Sequence, residues 1–363
     1  MPRQRAHLIT SLAAALCVCC ARAAVLSNTA LPLDTAGDLM LTGESSVLAV
    51  NGTYYLYANV WGGCPGVDCC ASASGCASCC FAGPNDPCVY TANHSVVSYS
   101  TRDFSSWRFE GVMLAPSGRR AGTEFRPQVV YAAQTGRFVL WYEDRWTSGT
   151  NKGYAVATSP SPVGPFTTVS DSTPVPGAGR IGDYDIFVDP DTGVGYHVRT
   201  GVTIVQLSAD LTAAAVPARV YEMPDGSVEG PAMFKRNGVF YLLFGKGCCA
   251  CIGGSNIDVY TAASALGPYT FRGDVGSNSS QAFDAHSPLN FNTHAQQSKV
   301  FTVTAADGSE QFVWLGNQWV TSTQPGRPRA HDLLFWAVLQ FDAAGMIKEV
   351  TWQDSATISV QQP

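Results

Sequence analysis

The sequence is poor in charge. Only 14% of its 363 residues are Asp, Glu, Lys or Arg, and 22 basic residues face 28 acids, a formal charge of −6. No Lys/Arg-rich run occurs, which removes the electrostatic footprint of a nucleic-acid-binding protein. After the first 20 residues no apolar run reaches the roughly 18 that a membrane-spanning helix needs, so no span is expected. Convincing amphipathic helical patterns are missing as well. The His residues form no metal-ligating constellation. No metal site and no cofactor are therefore expected, with a structural cation near His286 or His294 as the alternative. What remains is apolar and turn-rich: 46% hydrophobic and 11% aromatic, with 35 Gly and 21 Pro. Such a chain folds, and its length allows one large or two ordinary domains.

The first residues read as a targeting segment. Arg3 and Arg5 precede an apolar stretch from Leu8 to Cys20. Ala21-Arg22-Ala23 then places small residues at the two positions a signal peptidase reads. A secretory signal over 1–23, cleaved after Ala23, is expected; an N-terminal anchor is the alternative. Cleavage removes three arginines and no acids, so −6 becomes −9. A secreted, extracellular monomer follows as the expectation.

Secretion decides how the 13 cysteines read. Ten lie beyond the signal: seven between Cys64 and Cys88, and three at Cys248, Cys249 and Cys251. In an oxidising compartment an even total implies disulfides. The Cys76-Ala-Ser-Cys79 spacing leaves zinc as an alternative. Both clusters are odd in number, so full pairing requires at least one bridge between them. Sequons occur at Asn51, Asn93 and Asn278, the latter two being the better glycosylation candidates.

One unit recurs along the chain: a short strand, a turn, then an aromatic-rich strand. Ser46-Val-Leu-Ala-Val50 leads through Asn51-Gly52 into Thr53-Tyr-Tyr-Leu-Tyr57. The same pattern runs through Thr135-Gly136, Thr192-Gly193, Asn237-Gly238 and Asp307-Gly308. Asn-Gly and Asp-Gly accept the positive φ of two-residue hairpins. Another strand pair follows each hairpin, the last of them near Ile347. Five units of four antiparallel strands predict an all-β, five-bladed β-propeller. A pair of β-sandwiches is the alternative, and it does not explain five repeats of one pattern. The propeller is expected as one domain over 24–363, with a Cys-rich insertion at 61–92.

A propeller gathers the starts of its innermost strands around a central depression. Glu44, Glu124, Asp183, Glu229 and Gln297 precede blades one to five in turn. Glu229 sits beside apolar Pro231 and Met233, surroundings that favour a neutral carboxyl, as a general acid requires. Asp183 would reinforce this by like-charge repulsion. Two carboxyl groups held in opposite protonation states are the arrangement of glycoside hydrolysis. For any single acid the competing reading is a hydrogen bond from blade to blade.

These residues carry a resemblance. Glu229-Gly-Pro-Ala-Met-Phe, Gly182-Asp183-Tyr-Asp-Ile-Phe, Phe125-Arg126-Pro127-Gln128 and Gln296-Gln297-Ser298, in register with five blades, are similar to glycoside hydrolase family 43. Within it they most resemble the exo-β-1,3-galactanase branch. The resemblance implies a secreted inverting glycosidase acting on a poly- or oligosaccharide. Glu229 would be the general acid, Asp183 would tune its pKa, and Gln297 would position water, with Glu44 as a possible base. Glu124, Arg126, Asp185 and Trp319 would contact substrate. Trp61 and Trp146 are further stacking candidates, whereas Trp141 lies inside a strand and reads as core. The pattern departs from the family in two places. Blade one has Thr42-Gly43-Glu44 where the wider family has a base aspartate, and Phe125 stands where the branch has a glutamate. A carbohydrate-binding propeller without turnover, an arabinan- or xylan-directed glycosidase, and a cysteine-rich interaction scaffold are the rival readings.

Overall fold

A computed structural model describes residues 22–60, 94–120, 123–145, 153–178, 181–222, 229–246, 253–277, 292–319, 321 and 332–361. The signal segment up to Ala21, all ten remaining cysteines, Asn93, Asn278, Trp61, Trp146 and His286 lie outside them. The readings placed on those residues lie outside the described structure with them.

The chain opens with β1 (Arg22–Ser27) and then builds blades in sequence order. Blade one is β2 (Gly43–Val50), β3 (Thr53–Val60), β4 (Ser95–Thr101) and β5 (Arg108–Leu114). Blade two is β6 (Thr123–Ala132), β7 (Arg137–Arg145), β8 (Gly153–Ser159) and β9 (Thr167–Thr173). Blade three is β10 (Tyr184–Val188), β11 (Gly195–Arg199), β12 (Thr203–Gln206) and β13 (Val220–Glu222). Blade four is β14 (Glu229–Arg236), β15 (Val239–Gly245), β16 (Asp258–Ala262) and β17 (Thr270–Asp274). Blade five is β18 (Gln296–Thr304), β19 (Glu310–Gln318) and β20 (Leu333–Val338), and β21 (Ser355–Val360) ends the chain. Every pairing is antiparallel between consecutive strands of a blade, which is the predicted five-bladed propeller. Helix among the described residues is limited to a single three-residue turn, Pro116–Gly118. None is long and apolar enough to cross a membrane.

The turns do what their sequences allow. Asn51-Gly52 has φ 49° and 72°, and Asn237-Gly238 has 50° and 76°. Two successive positive φ values match the right-handed twist of the flanking strands, so each hairpin closes tightly. The fourth strands are harder to read. Asp210-Leu211 turns back through a Leu207–Ala214 bridge, and β13 forms only beyond it. In blade five the Ile347 region makes a single bridge to Phe341. Beside β20 lies a ribbon of the two chain ends, β1 on β21. Asn28 fastens the ribbon: its amide accepts from Trp336 N–H (2.8 Å) and donates to the Trp336 carbonyl (3.1 Å). Cleavage after Ala23 would leave Ala24–Ser27 paired in this ribbon.

The ring is held at two depths. Between neighbouring blades lie five apolar clusters, such as Leu56, Trp107, Phe301, Trp336 and Ile358 where blades five and one meet. Around the centre runs a closed circuit of blade-to-blade hydrogen bonds. Ser46 donates to the Pro127 carbonyl, Gln128 to that of Tyr184, and Asp185 accepts from Met233 N–H. Gln297 then donates to the Gly230 carbonyl, and Ser298 to that of Ser45. Each bond satisfies a buried polar group that the narrow centre hides from water. The circuit fixes where the five strand starts stand relative to one another.

Candidate active site

Three innermost strands begin with the same irregularity. The register of the hairpin slips between Gly43 and Ser46, between Phe125 and Gln128, and between Glu229 and Ala232. Inside each bulge one residue is left-handed: Glu44 at φ 43°, Arg126 at 52° and Gly230 at 57°. Such a bulge re-aims the strand start toward the axis. Glycine suits the position, and at Gly230 a Cβ would lie 2.8 Å from the Gln297 carbonyl oxygen. Glu44 and Arg126 hold the same conformation at a cost of about 1–3 kcal/mol each, a strain that clusters at functional sites.

Arg126 is the hub of the centre and is 2% exposed. Its Nε and Nη2 chelate Asp183 Oδ1 and Oδ2 at 2.7 and 2.8 Å. Its Nη1 donates to the Gln297 carbonyl at 3.0 Å, and its backbone N–H donates to Glu44 Oε2 at 2.9 Å. Sequence placed Arg126 against substrate; the structure places its guanidinium among four blades, where a buried, planar, five-donor group is best used.

Asp183 receives two further donors on Oδ2, Gly230 N–H at 3.1 Å and Gln296 Nε2 at 2.8 Å. All four partners donate, the pattern a carboxylate accepts. The Gly230 bond sets Asp183 beside the backbone of half-buried Glu229, which opens β14 opposite Gly245. Asp183 and the Glu229 backbone thus meet at Gly230.

Glu44 joins them from blade one. It is 5% exposed, and its Oε1 stands 3.9 Å from Arg126 Nε. Burial pushes its pKa from 4.5 up to about 7, the Arg126 charge opposing and Asp183 and Glu143 adding. The folded protein therefore holds a proton on Glu44 that the unfolded chain releases near pH 4.5. Between those two values the native state binds more protons, so stability falls as pH rises and the full penalty is present above about 7. Relative to wild type, Glu44→Gln should gain about 3 kcal/mol on going from pH 4.5 to pH 8.5. Urea unfolding of both proteins across that range checks it; a pH-independent difference would refute this environment for Glu44.

The two blade-five glutamines take different directions. A bulge between Gln297 and Lys299 changes the facing of the strand start. Gln297 is 0% exposed, its amide spent on Trp314 Nε1–H (2.7 Å) and the Gly230 carbonyl. Gln296 turns to the centre instead, donating to Asp183 and accepting from Trp319 Nε1–H at 2.6 Å. Trp319 is itself buried, held by that bond. Asp185 is fully buried one layer deeper, paired with Lys299 and bonded to Met233 N–H. Glu124 pairs by backbone with Asp144, and its side chain lies outside the described residues. Trp141 is core and donates to the Leu211 carbonyl.

Sequence reading missed Gln296 and Glu143. Glu143 is buried on β7 directly opposite Phe125, close enough to Glu44 to raise it. No sequence signal singles it out, because it sits mid-strand among aromatics. Among the described residues no group of three or more His, Cys, Asp or Glu could hold a metal ion. His294, instead of reaching the centre, packs its ring on Trp352 at 5.5 Å.

Comparison with known proteins gives a family and a set of similar folds. The family model of glycosyl hydrolases family 43 matches residues 84–328, two thirds of the chain. No curated protein sequence matches. A β-1,3-galactosidase solved with galactodeoxynojirimycin is similar in structure, at TM-score 0.70 and 21% identity over 91% of this chain and 99% of that one. An exo-β-1,3-galactanase of Phanerochaete chrysosporium solved with galactose gives 0.68 and 19%, over 93% of this chain and 68% of its own. One from Clostridium thermocellum gives 0.67 and 20%, over 91% of this chain and 66% of its own.

Proposed function

The chain belongs to glycosyl hydrolases family 43, a family of glycosidases, and from that membership we propose that it releases galactose from the ends of β-1,3-galactan with inversion. The observation that carries the reading is the Asp183–Gly230 bond, which sets a chelated carboxylate beside Glu229 at the meeting point of five blades. The names of its structural neighbours support the galactan choice.

In this reading Glu229 gives its proton to the glycosidic oxygen as the bond from that oxygen to C1 breaks. Asp183 orients Glu229 through the Gly230 backbone. Water attacks C1 from the opposite face, held by the second Gln296 Nε2–H that its bond to Asp183 leaves over, and Glu44 takes its proton. The blade-one glutamate thus stands in for a base aspartate, and a pKa near 7 suits a base working near neutrality. Solvent returns the proton from Glu44 to Glu229 between turnovers. Arg126 keeps Asp183 and Glu44 in place and is read as a positioning residue. The protein is proposed to act as a secreted monomer without a cofactor.

Following products by NMR from β-1,3-galactan, arabinan and xylan oligomers tests the proposal. Galactose appearing first as the α-anomer is the expected result, because inversion of a β-linkage yields α. Release of a pentose instead would replace the substrate, and retained configuration would replace the mechanism. Sugar binding with no product from any glycan would leave a carbohydrate-binding propeller.

A further inference from the structure

We infer that Tyr184, backed by His197, is a positioning residue for the Arg126–Asp183 pair. The inference rests on the proposed role of Asp183. Tyr184 follows Asp183 directly, and successive strand residues point to opposite faces. The dipeptide therefore grips Arg126 twice. Asp183 chelates the guanidinium, while the Tyr184 hydroxyl donates to the Arg126 carbonyl at 2.6 Å. A left-handed arginine needs its peptide held, since the relaxed conformation would turn the carbonyl elsewhere.

The Tyr184 ring is set by a closed aromatic box. His197, on β11 opposite Ile186, stacks on it at 5.1 Å with an interplanar angle of 11°. Tyr154 meets Tyr184 edge-on at 4.9 Å and His197 at 4.4 Å, and Trp141 closes the box 5.3 Å from His197. His197 is fully buried, and neither ring nitrogen has a hydrogen-bond partner. Burial and the nearby Arg199 charge hold its pKa well below the usual imidazole range, so it serves as a flat neutral ring. The box grips the chain a second time: Tyr154 Oη donates to the Gly182 carbonyl at 2.9 Å and accepts from Gly182 N–H at 3.2 Å. Asp183 thus lies between two residues tied to one rigid cluster. All four rings of the box are buried, so its influence passes through Arg126 and Asp183.

The test compares hydroxyl deletions in the full protein with β-1,3-galactobiose as substrate. Tyr241→Phe is the control, because its hydroxyl also donates to a backbone carbonyl, that of Gly345, far from the centre. Tyr184→Phe should lower kcat about tenfold with KM within about threefold, the signature of a misaligned reacting group. Its pH–rate profile should shift, while Tyr241→Phe keeps wild-type kcat and profile. His197→Leu leaves the hydroxyl but removes the flat support, and should lower kcat in the same direction by less. Tyr184→Phe with wild-type kcat and profile, differing only in Tm, would overturn the inference. Asp183→Asn separates the two levels. If it is inactive while Tyr184→Phe is normal, only this inference fails; if it is fully active, the reading of the site fails.

Discussion

Glu229→Gln is expected to lower kcat by roughly 10²- to 10⁴-fold, the range for losing a positioned general acid, while sugar binding and fold persist. The amide matches the carboxyl in shape and keeps its hydrogen-bonding reach, but it has no proton to give. The backbone that places residue 229 is unaffected, because the Gly230 N–H bond to Asp183 and the β14–β15 pairing do not involve its side chain. Galactosides with good leaving groups, which need little protonation, should lose far less than the natural linkage. Turnover on both substrate types, with oligosaccharide affinity by calorimetry, checks the expectation. Equal turnover by mutant and wild type on galactan would remove Glu229 from the reaction.

The position of Glu229 could be read from sequence because the blade repeat is local. Asn237-Gly238 and its counterparts fix each hairpin, and a strand start is then found by counting back from the turn. The same counting identified Asp183 and Glu44. It did not separate Gln296 from Gln297 at the start of blade five, where the register slips between Gln297 and Lys299. Side-chain facing along a strand has period two, so one inserted residue exchanges the inward and outward sets. That exchange brings Gln296 to Asp183 and sends Gln297 into the Trp314 packing. Depth was illegible for a related reason. Asp183 and Asp185 have the same facing and differ only in distance along the axis, and sequence does not reveal where the cleft ends. Arg126 and Glu143 depend on contacts between blades separated by dozens of residues, and no local pattern records them. The outer strands were the least legible part of the fold. They carry half-exposed, weakly alternating residues, so nothing marked β13, and nothing marked the terminal ribbon beside blade five.

The same inter-blade contacts predict the largest stability effect. Arg126→Met should destabilise the protein by about 3–5 kcal/mol, the cost of breaking a buried charge pair by removing one partner. Methionine fills much of the space but supplies no donor. Asp183 loses both chelating bonds, and the Gln297 carbonyl loses its bond to Nη1. Arg126→Lys should recover little, because an ammonium cannot chelate both carboxylate oxygens in one plane. The loss carries a pH signature. Arg126 opposes the rise in the Glu44 pKa, so its removal pushes that pKa above its present value of about 7. An acid raised further in the folded state loses nothing more at low pH and loses more once pH exceeds its wild-type pKa. The stability deficit of Arg126→Met should therefore widen as pH rises through 7, and should widen less when Glu44→Gln is added. Urea unfolding of the single and double variants at pH 5 and pH 8.5 measures it. A deficit that is constant with pH would mean that Glu44 does not share the charge at the centre of the ring.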